Sequence, residues 1–174
     1  MIQQLKYLST WNPSLLSLKD AYYILGFSDG EGSFNISFKK RNDYKIGWKI
    51  VPVFNISQKE KEPLIYIQKH LNCGTLRYRK DGVWVDQVEN FDSLQKHIIP
   101  FFSTYISISK IKRDSFNNWK EIILILKSIR ESNSYLTLTQ LKRILHLRNL
   151  LQTNFSRRTY TDEMIIQHFI KYVR

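Results

Sequence analysis

The sequence has few of the residues that would place it in several common classes of protein. Its 174 residues include one cysteine, Cys73, which excludes an internal disulfide and a cysteine-based zinc site. The four histidines are scattered rather than spaced as metal ligands. No apolar run approaches the ~20 residues of a membrane-spanning helix, and the start of the chain lacks the order of a signal peptide. We therefore expect an intracellular protein that does not bind a membrane.

Acidic residues are scarce relative to basic ones. Fifteen Asp and Glu stand against 27 Lys and Arg, which gives a formal net charge of +12 and a pI near 9.8. This excess is typical of nucleic-acid-binding proteins, although a basic membrane-surface protein or a ribosomal protein would have it too. Alanine occurs once, at Ala21, whereas Ile, Lys, Asn, Phe and Tyr are abundant. That bias is typical of an AT-rich coding sequence and suggests a gene of a mitochondrion or chloroplast.

Three glycines fall within seven residues near the end of a predicted helix. Helical spacing places Gly26 and Gly30 on one face with Tyr23, where a second helix can approach to backbone contact distance. Asp29 and Glu31 lie where the helix ends, at the negative end of its dipole, so these two acids favour a compensating cation such as a divalent metal. The alternative interpretation is an ordinary helix stop, with glycine C-caps and two solvated acids.

The pattern of apolar residues predicts an α+β fold, in which an αββαββα core with an antiparallel four-stranded sheet is followed by C-terminal helices. We predict that Asp20 caps the motif helix and that two strands follow, from Ser33 and from Trp48. A helix then runs from Pro63 to about Leu71 and is stopped by Gly74, and two further strands over residues 75–79 and 83–88 are joined by Asp81-Gly82. A helix from about Asp92 is broken by Pro100, and helices over residues 112–130, 138–151 and 162–172 complete the chain. Leu76 and Tyr78 are predicted to face inward, and the register of the fourth strand is open. The predicted units are an N-terminal extension (1–19), the core (20–105) and a C-terminal helical region (106–174).

One stretch of the motif helix resembles the signature of the LAGLIDADG homing endonucleases. The matching residues are Ile24-Leu25-Gly26-Phe27-Ser28-Asp29-Gly30-Glu31-Gly32. Both glycines and both acids fall in register, while Leu25 and Ser28 depart from the family's most common letters. The order of the predicted core elements also matches this family. Because one copy of the motif is present, the resemblance is to the single-motif type, in which the motif helices of two chains meet.

The resemblance implies a site-specific double-stranded DNA endonuclease encoded by a mobile intron. Such an enzyme acts as a homodimer on a long pseudo-palindromic target, through Tyr23, Gly26 and Gly30 here, and leaves short 3′ overhangs. The main alternative is a relative without catalysis, either a maturase that binds its host intron RNA or a DNA-binding regulator. A ribosomal protein would share the positive charge, but it would not account for the acidic motif.

The resemblance also assigns catalytic roles. The second acid of the motif binds the catalytic metal in this family, so the metal ligands implied are Glu31 and the neighbouring carbonyl of Gly30. Mg²⁺ suits such a site because it prefers oxygen ligands and keeps several waters, and we expect Mn²⁺ to substitute for it. The family's polar residue at the end of the second strand corresponds to Gln58. Its lysine after the second core helix corresponds to Lys110, with Lys112 as the alternative.

Recognition of the DNA sequence is expected on the outward faces of the strands, because a twisted antiparallel ribbon fits the major groove. A solvent-facing sheet surface is polar in any case, but the charges predicted for this one are nearly all positive. The family's basic residue shortly after the glutamine corresponds to Lys61. The residues predicted to contact DNA are Asn35, Ser37, Lys39, Arg41, Lys49, Asn55, Ser57, Lys61, Arg77, Arg79 and Lys112.

Overall fold

The computed structural model describes residues 11–41, 43–44, 46–151 and 159–172. A 3₁₀ turn at Pro13–Leu15 precedes the first helix. The strands are β1 (Gly32–Lys40), β2 (Trp48–Gln58), β3 (Thr75–Tyr78) and β4 (Trp84–Val88), and the helices are α1 (Leu18–Glu31), α2 (Glu62–Leu71), α3 (residues 91–104), α4 (Lys110–Glu131), α5 (Leu138–Leu151) and α6 (Asp162–Tyr172). The order confirms the predicted αββαββα core with C-terminal helices. Residues 1–10 of the predicted extension lie outside the described ranges, and the division into three units stays a prediction.

The four strands form one antiparallel sheet in the order β1-β2-β4-β3. Alternation places one face of β1 in the core, as the sequence predicts, since every second residue from Gly32 to Phe38 is buried. Phe34 pairs with Phe54 on the neighbouring strand, with ring centroids 5.2 Å apart, and Trp119 of α4 packs on Phe34 at the same centroid distance. These aromatic contacts fix α4 against the inner face of the sheet.

Helix α1 begins three residues earlier than a cap at Asp20 would allow. The cap is Ser17, whose Oγ accepts a hydrogen bond from the Asp20 amide at 3.2 Å. At the other end, a Cβ on Gly32 would lie 2.5 Å from the carbonyl oxygen of Ser28. Gly32 has an extended φ of −79°, so glycine is required there by the close approach of the strand to the helix and not by a left-handed cap. Leu25 and Ser28 are buried within the same chain.

The helix break predicted at Pro100 is wrong, because α3 continues to Thr104. Its parts are α-helical Phe91–Ser93, π-helical Leu94–Ile98 and α-helical Ile99–Thr104. The amide of Ile99 donates to the carbonyl of Leu94, five residues back. This wide turn relieves the clash that a proline ring makes with the preceding turn of a regular α-helix.

Two predictions near β3 also need correction. Helix α2 ends at Asn72, whose left-handed conformation (φ 53°) forms the C-cap, and not at Gly74. The register places Tyr78 on the inner face with Leu76, as predicted, but Tyr78 is 62% exposed and contacts the Trp84 ring at a centroid distance of 4.9 Å, because β3 is an edge strand whose end extends beyond the core. The predicted end of the strand at residue 79 is wrong by one residue. Arg79 lies beyond the end of β3, in the hairpin turn where its amide donates to the Val83 carbonyl.

The inner face of the sheet holds a buried acid, Asp86, which is 4% exposed. Burial raises the pKa of Asp86 to about 7, although backbone amides of Gln87 and Thr75 donate to its carboxylate. A Cβ on Gly74 would lie 2.3 Å from this carboxylate, and Gly74 has a φ of +117°. Glycine is therefore required at residue 74 by contact as well as by conformation.

The C-terminal helices match their predicted bounds to within two residues. The predicted capping box opens α5: Thr137 and Gln140 exchange hydrogen bonds between side chain and amide at 2.9 and 3.2 Å. Arg148 of α5 is buried, forms an ion pair with Asp162 at 3.5 Å and lies over the Phe38 ring. Within the described ranges, no helix is both long enough and apolar enough to cross a membrane.

Candidate functional site

The two motif acids lie at the C-terminal end of α1 with different exposure. Glu31 is the last residue of the helix, and its side chain is exposed. Asp29 is half-buried, and its Oδ1 is a buried atom without a hydrogen-bond partner among the described residues. A buried carboxylate oxygen without a donor is costly, which favours a cation or a donor from outside this part of the chain.

One lysine from the start of α4 is held against this helix end. The Nζ of Lys112 donates a hydrogen bond to the Gly32 carbonyl, at the junction of α1 and β1. Burial lowers the pKa of Lys112, and the charges of Asp29 and Glu31 oppose that change. Lys110 has a side chain that is 81% exposed and pairs with Asp114 one turn along α4, at 2.8 Å. Of the two lysines that the sequence leaves open, the structure therefore brings Lys112 to the motif.

Gln58 is the last residue of β2, at the same end of the sheet as the C-terminus of α1. The register pairs Gly32, the first residue of β1, with Ile56, so Gln58 extends two residues further toward the motif. Its Oε1 accepts a hydrogen bond from the amide of Lys59 at 2.7 Å, so reaching a substrate requires a change of side-chain rotamer. Lys61 lies beyond the strand, with its ammonium 4.6 Å from the centre of the Trp84 ring.

The glycine face of α1 is open in the single chain. A Cβ built on Gly26 or Gly30 meets no atom of the described residues within 4 Å. Tyr22 and Tyr23 on the same helix are 62% and 43% exposed. A cavity of about 500 Å³ lies beside Tyr23 and Tyr66. Aromatic side chains next to a bare helical stripe form a surface that a second helix can fit closely.

A metal site in one chain would have few protein ligands. Among the described residues, no group of three or more His, Cys, Asp or Glu is placed to hold a metal ion. The exposed Glu31 carboxylate and the unpartnered oxygen of Asp29 nevertheless offer hard oxygen donors close together in the sequence. Mg²⁺ is compatible with such a site, because it is commonly held by one or two carboxylates, waters and phosphate oxygens of a substrate.

The register of the sheet defines its outer face, opposite the core. Cross-strand pairs place the following predicted DNA contacts on this face: Asn35, Ser37, Lys39, Lys49, Asn55, Ser57 and Arg77. The same register places Val85 and Gln87 on the outer face. The sequence does not indicate this, because β4 has apolar residues on both faces. The register also places Val51 and Val53 outward, although both are buried, at 5% and 7% exposed.

Several of the predicted DNA-contacting cations carry an acidic partner in the free chain. Outside the strands, Arg41 binds the Asp43 carboxylate through two hydrogen bonds of 2.7 Å, and Arg79 pairs with Asp81. On the outer face, Lys39 lies 3.9 Å from Glu89. Arg77 has no ion-pair partner among the described residues. Exposed pairs of this kind contribute only ~0–1 kcal/mol, so a phosphate or a base edge can displace the acid.

Sequence comparison places this arrangement among known proteins. A sequence model of the LAGLIDADG endonuclease family matches residues 24–123, more than half of the chain. A probable intron-encoded endonuclease 2 from Neurospora crassa is 35% identical over 139 residues, which cover 78% of this chain and 30% of the relative. Homing endonuclease I-ApeII from Aeropyrum pernix is 26% identical over 110 residues, covering 62% of this chain and 65% of that protein. The chain thus spans less than two thirds of either relative.

Comparison with solved structures gives a match over most of both chains. The archaeal intron-encoded homing endonuclease I-Vdi141I, solved in complex with DNA, superposes with a TM-score of 0.77 and 30% identity. The match covers 89% of this chain and 97% of that one. The match therefore extends over most of the fold.

Proposed function

Because this chain belongs to the LAGLIDADG endonuclease family, we propose that it is a homing endonuclease, which cuts double-stranded DNA at one long target as a homodimer and leaves short 3′ overhangs. The observation that carries the proposal is the junction of α1 and β1. Glu31 and Lys112 lie together there, at one end of a sheet whose outer face carries cations. Relatives named as intron-encoded support a mobile intron as its source. A gene of a mitochondrion or chloroplast stays a prediction from composition.

Each residue at the junction has a proposed task. Mg²⁺ held by Glu31 and the Gly30 carbonyl would supply a charge clamp on the scissile phosphate and an activated water. Lys112, held by the Gly32 carbonyl, places a positive charge where the phosphate gains negative charge. Gln58 orients the attacking water from the end of β2. The proposed catalytic lysine is thus Lys112, since Lys110 is engaged by Asp114 on the far side of that turn of α4.

The homodimer follows from the number of motifs and from the open face of α1. A duplex has two strands to cut, and this chain has one motif. An isologous contact would pair Gly26 and Gly30 with their own copies and bring the two Glu31 carboxylates close to each other. Repulsion between those carboxylates would be reduced by bound metal. The uncovered Gly26 and the exposed Tyr22 and Tyr23 support this arrangement.

Incubation with defined DNA tests the activity. The substrate is a linear fragment of the host gene without its intron, and the control is the same fragment with the intron in place, which interrupts the target. We expect a double-strand cut in the intronless fragment with Mg²⁺ or Mn²⁺ and none with EDTA. Tight binding of intron RNA without any DNA cleavage would instead identify a maturase, and cleavage of both fragments at many positions would exclude a homing activity.

A further inference from the structure

We propose that three valines on the outer face of the sheet, Val51, Val53 and Val85, read the methyl groups of thymines in the major groove of the target. This inference rests on the proposed function and adds to it the chemical class of bases that these positions select. The sequence predicts recognition by polar and charged side chains. The structure adds an apolar component to the same face.

The position of the valines is fixed by the pairing of the strands. Val51 is paired with Ser37 and Val53 with Asn35, so both face away from the core. On the other side of β2, Val85 lies between Ser57 and Arg77 in neighbouring strands. All three are buried, at 5%, 7% and 8% exposed, yet none belongs to the hydrophobic core cluster of the protein. They form an apolar floor whose cross-strand neighbours are polar: Ser37, Asn35, Ser57 and Arg77.

Such a floor fits a small apolar group that projects toward it. The only apolar group that a base edge presents in the major groove is the C5 methyl of thymine. Because each valine has little exposed area, the space above it suits a methyl group better than a broad apolar surface. Polar neighbours such as Asn55 and Arg77 can bond the adjacent base edges while the methyl occupies the gap between them.

The charges around the floor favour DNA as the occupant. A groove of about 350 Å³ at Val51 is lined partly by uncharged residues, and its charged residues are the cations Lys39, Lys49 and Arg130 and the acid Glu89. Arg77, next to Val85, has no acidic partner among the described residues. A surface with an apolar floor and mainly cationic walls matches the methyl groups and phosphates of a duplex.

Replacement of thymine by deoxyuridine tests the proposal, because it removes only the methyl group. The full-length protein is titrated with target duplexes that carry one substitution at a time, with Ca²⁺ in place of Mg²⁺ and at fixed salt. We expect Kd to rise about fourfold at two or more positions per half-site, the equivalent of ~0.8 kcal/mol for each buried carbon. Substitution outside the bound target is the DNA control.

Variants then assign the effect to the valines. In Val53→Ser and Val85→Ser, one sensitive thymine each should become insensitive to loss of its methyl group, whereas Thr75→Ala, which lies on the same face opposite Gln87, should leave every T-to-U ratio unchanged. Val53→Ala and Val85→Ala serve if a serine variant is unstable by circular dichroism, and should reduce the ratio. Tight specific binding with no effect of any methyl group, or effects that the variants do not change, would overturn the inference and leave the proposed function standing. Failure to bind any target would instead overturn the proposed function.

Discussion

The C-terminal end of α1 and the outer face of the sheet adjoin each other, but they are built in different ways. At the helix end a few residues have tightly fixed positions: Gly32 admits no side chain, and Lys112 is bonded to its carbonyl. On the sheet, residues from four strands share one surface, and Lys39 already has an acidic partner there. The difference indicates that one substitution should stop chemistry at the helix end, whereas recognition on the sheet should weaken in steps.

The largest effect is expected from Glu31→Gln. This change removes the charge that binds metal and leaves the shape of the side chain almost unchanged, so cleavage should fall to background while DNA affinity stays within a few-fold. Cleavage of a labelled target and its binding in Ca²⁺ measure the two properties separately. Glu60→Gln, an exposed acid shortly after Gln58, is the control and should cut normally. A Glu31→Gln protein that still nicks DNA would remove Glu31 from the site.

A smaller loss is expected from Lys112→Met, which should slow single-turnover cleavage by ~10²-fold because a charge near the phosphate is lost. Lys110→Met is the matched control, two residues away on the same helix, and should change the rate less than threefold, roughly the scale of a surface charge. If Lys110→Met slowed cleavage more than Lys112→Met, that result would show that α4 rearranges when DNA binds.

Gln58→Ala should slow cleavage with target preference unchanged.

On the sheet, Arg77→Ala should relax preference at one base pair and cost ~1–3 kcal/mol there, as for a bidentate contact to guanine. Arg79→Ala should cost less, because Asp81 competes for its guanidinium in the free protein. Binding should also weaken with salt, with a slope of about −0.9 in log K per neutralised phosphate. Equal losses on every sequence for both variants would identify phosphate contacts instead.

The smallest effect on function is expected on the inner face of the sheet, from Asp86→Asn. The pKa of about 7 for Asp86 in the folded protein lies above the value of 3.8 for an ordinary aspartate carboxyl, so the folded state binds the proton more tightly. The contribution of Asp86 to the free energy of unfolding, measured as the difference between the wild type and Asp86→Asn, should therefore decrease as pH rises from about 4 to about 7, by roughly 2–4 kcal/mol, and then level off. Chemical denaturation of both proteins across this range measures that difference, and Asp86→Asn should keep the target preference. A difference in stability between the wild type and Asp86→Asn that stays constant over that range would contradict the raised pKa.

The two regions also differ in how far the sequence predicts them. The motif is recognisable because its glycines and acids have fixed spacing, and the start of α5 is recognisable from its capping box at Thr137 and Gln140. The register of β4 is not recognisable from the sequence, because Trp84, Val85 and Val88 do not alternate with polar residues. Which of Lys110 and Lys112 faces the motif depends on how α4 is rotated about its axis relative to α1, and tertiary packing sets that rotation. The continuation of α3 past Pro100 depends on a π-helical turn that no pattern of residues indicates.

The central claim is that two chains meet through the glycine face of α1 and that each supplies one Glu31. Sedimentation of the wild type and of Gly26→Leu on target DNA tests it most directly, with Ser128→Leu on an exposed position of α4 as the control. We expect the wild type and the control to bind as dimers and cut both strands. Gly26→Leu, with a side chain where the backbones should touch, should sediment as a monomer with unchanged circular dichroism and make no double-strand cut. An active wild-type monomer, or a Gly26→Leu protein that stays dimeric and cuts normally, would contradict the claim.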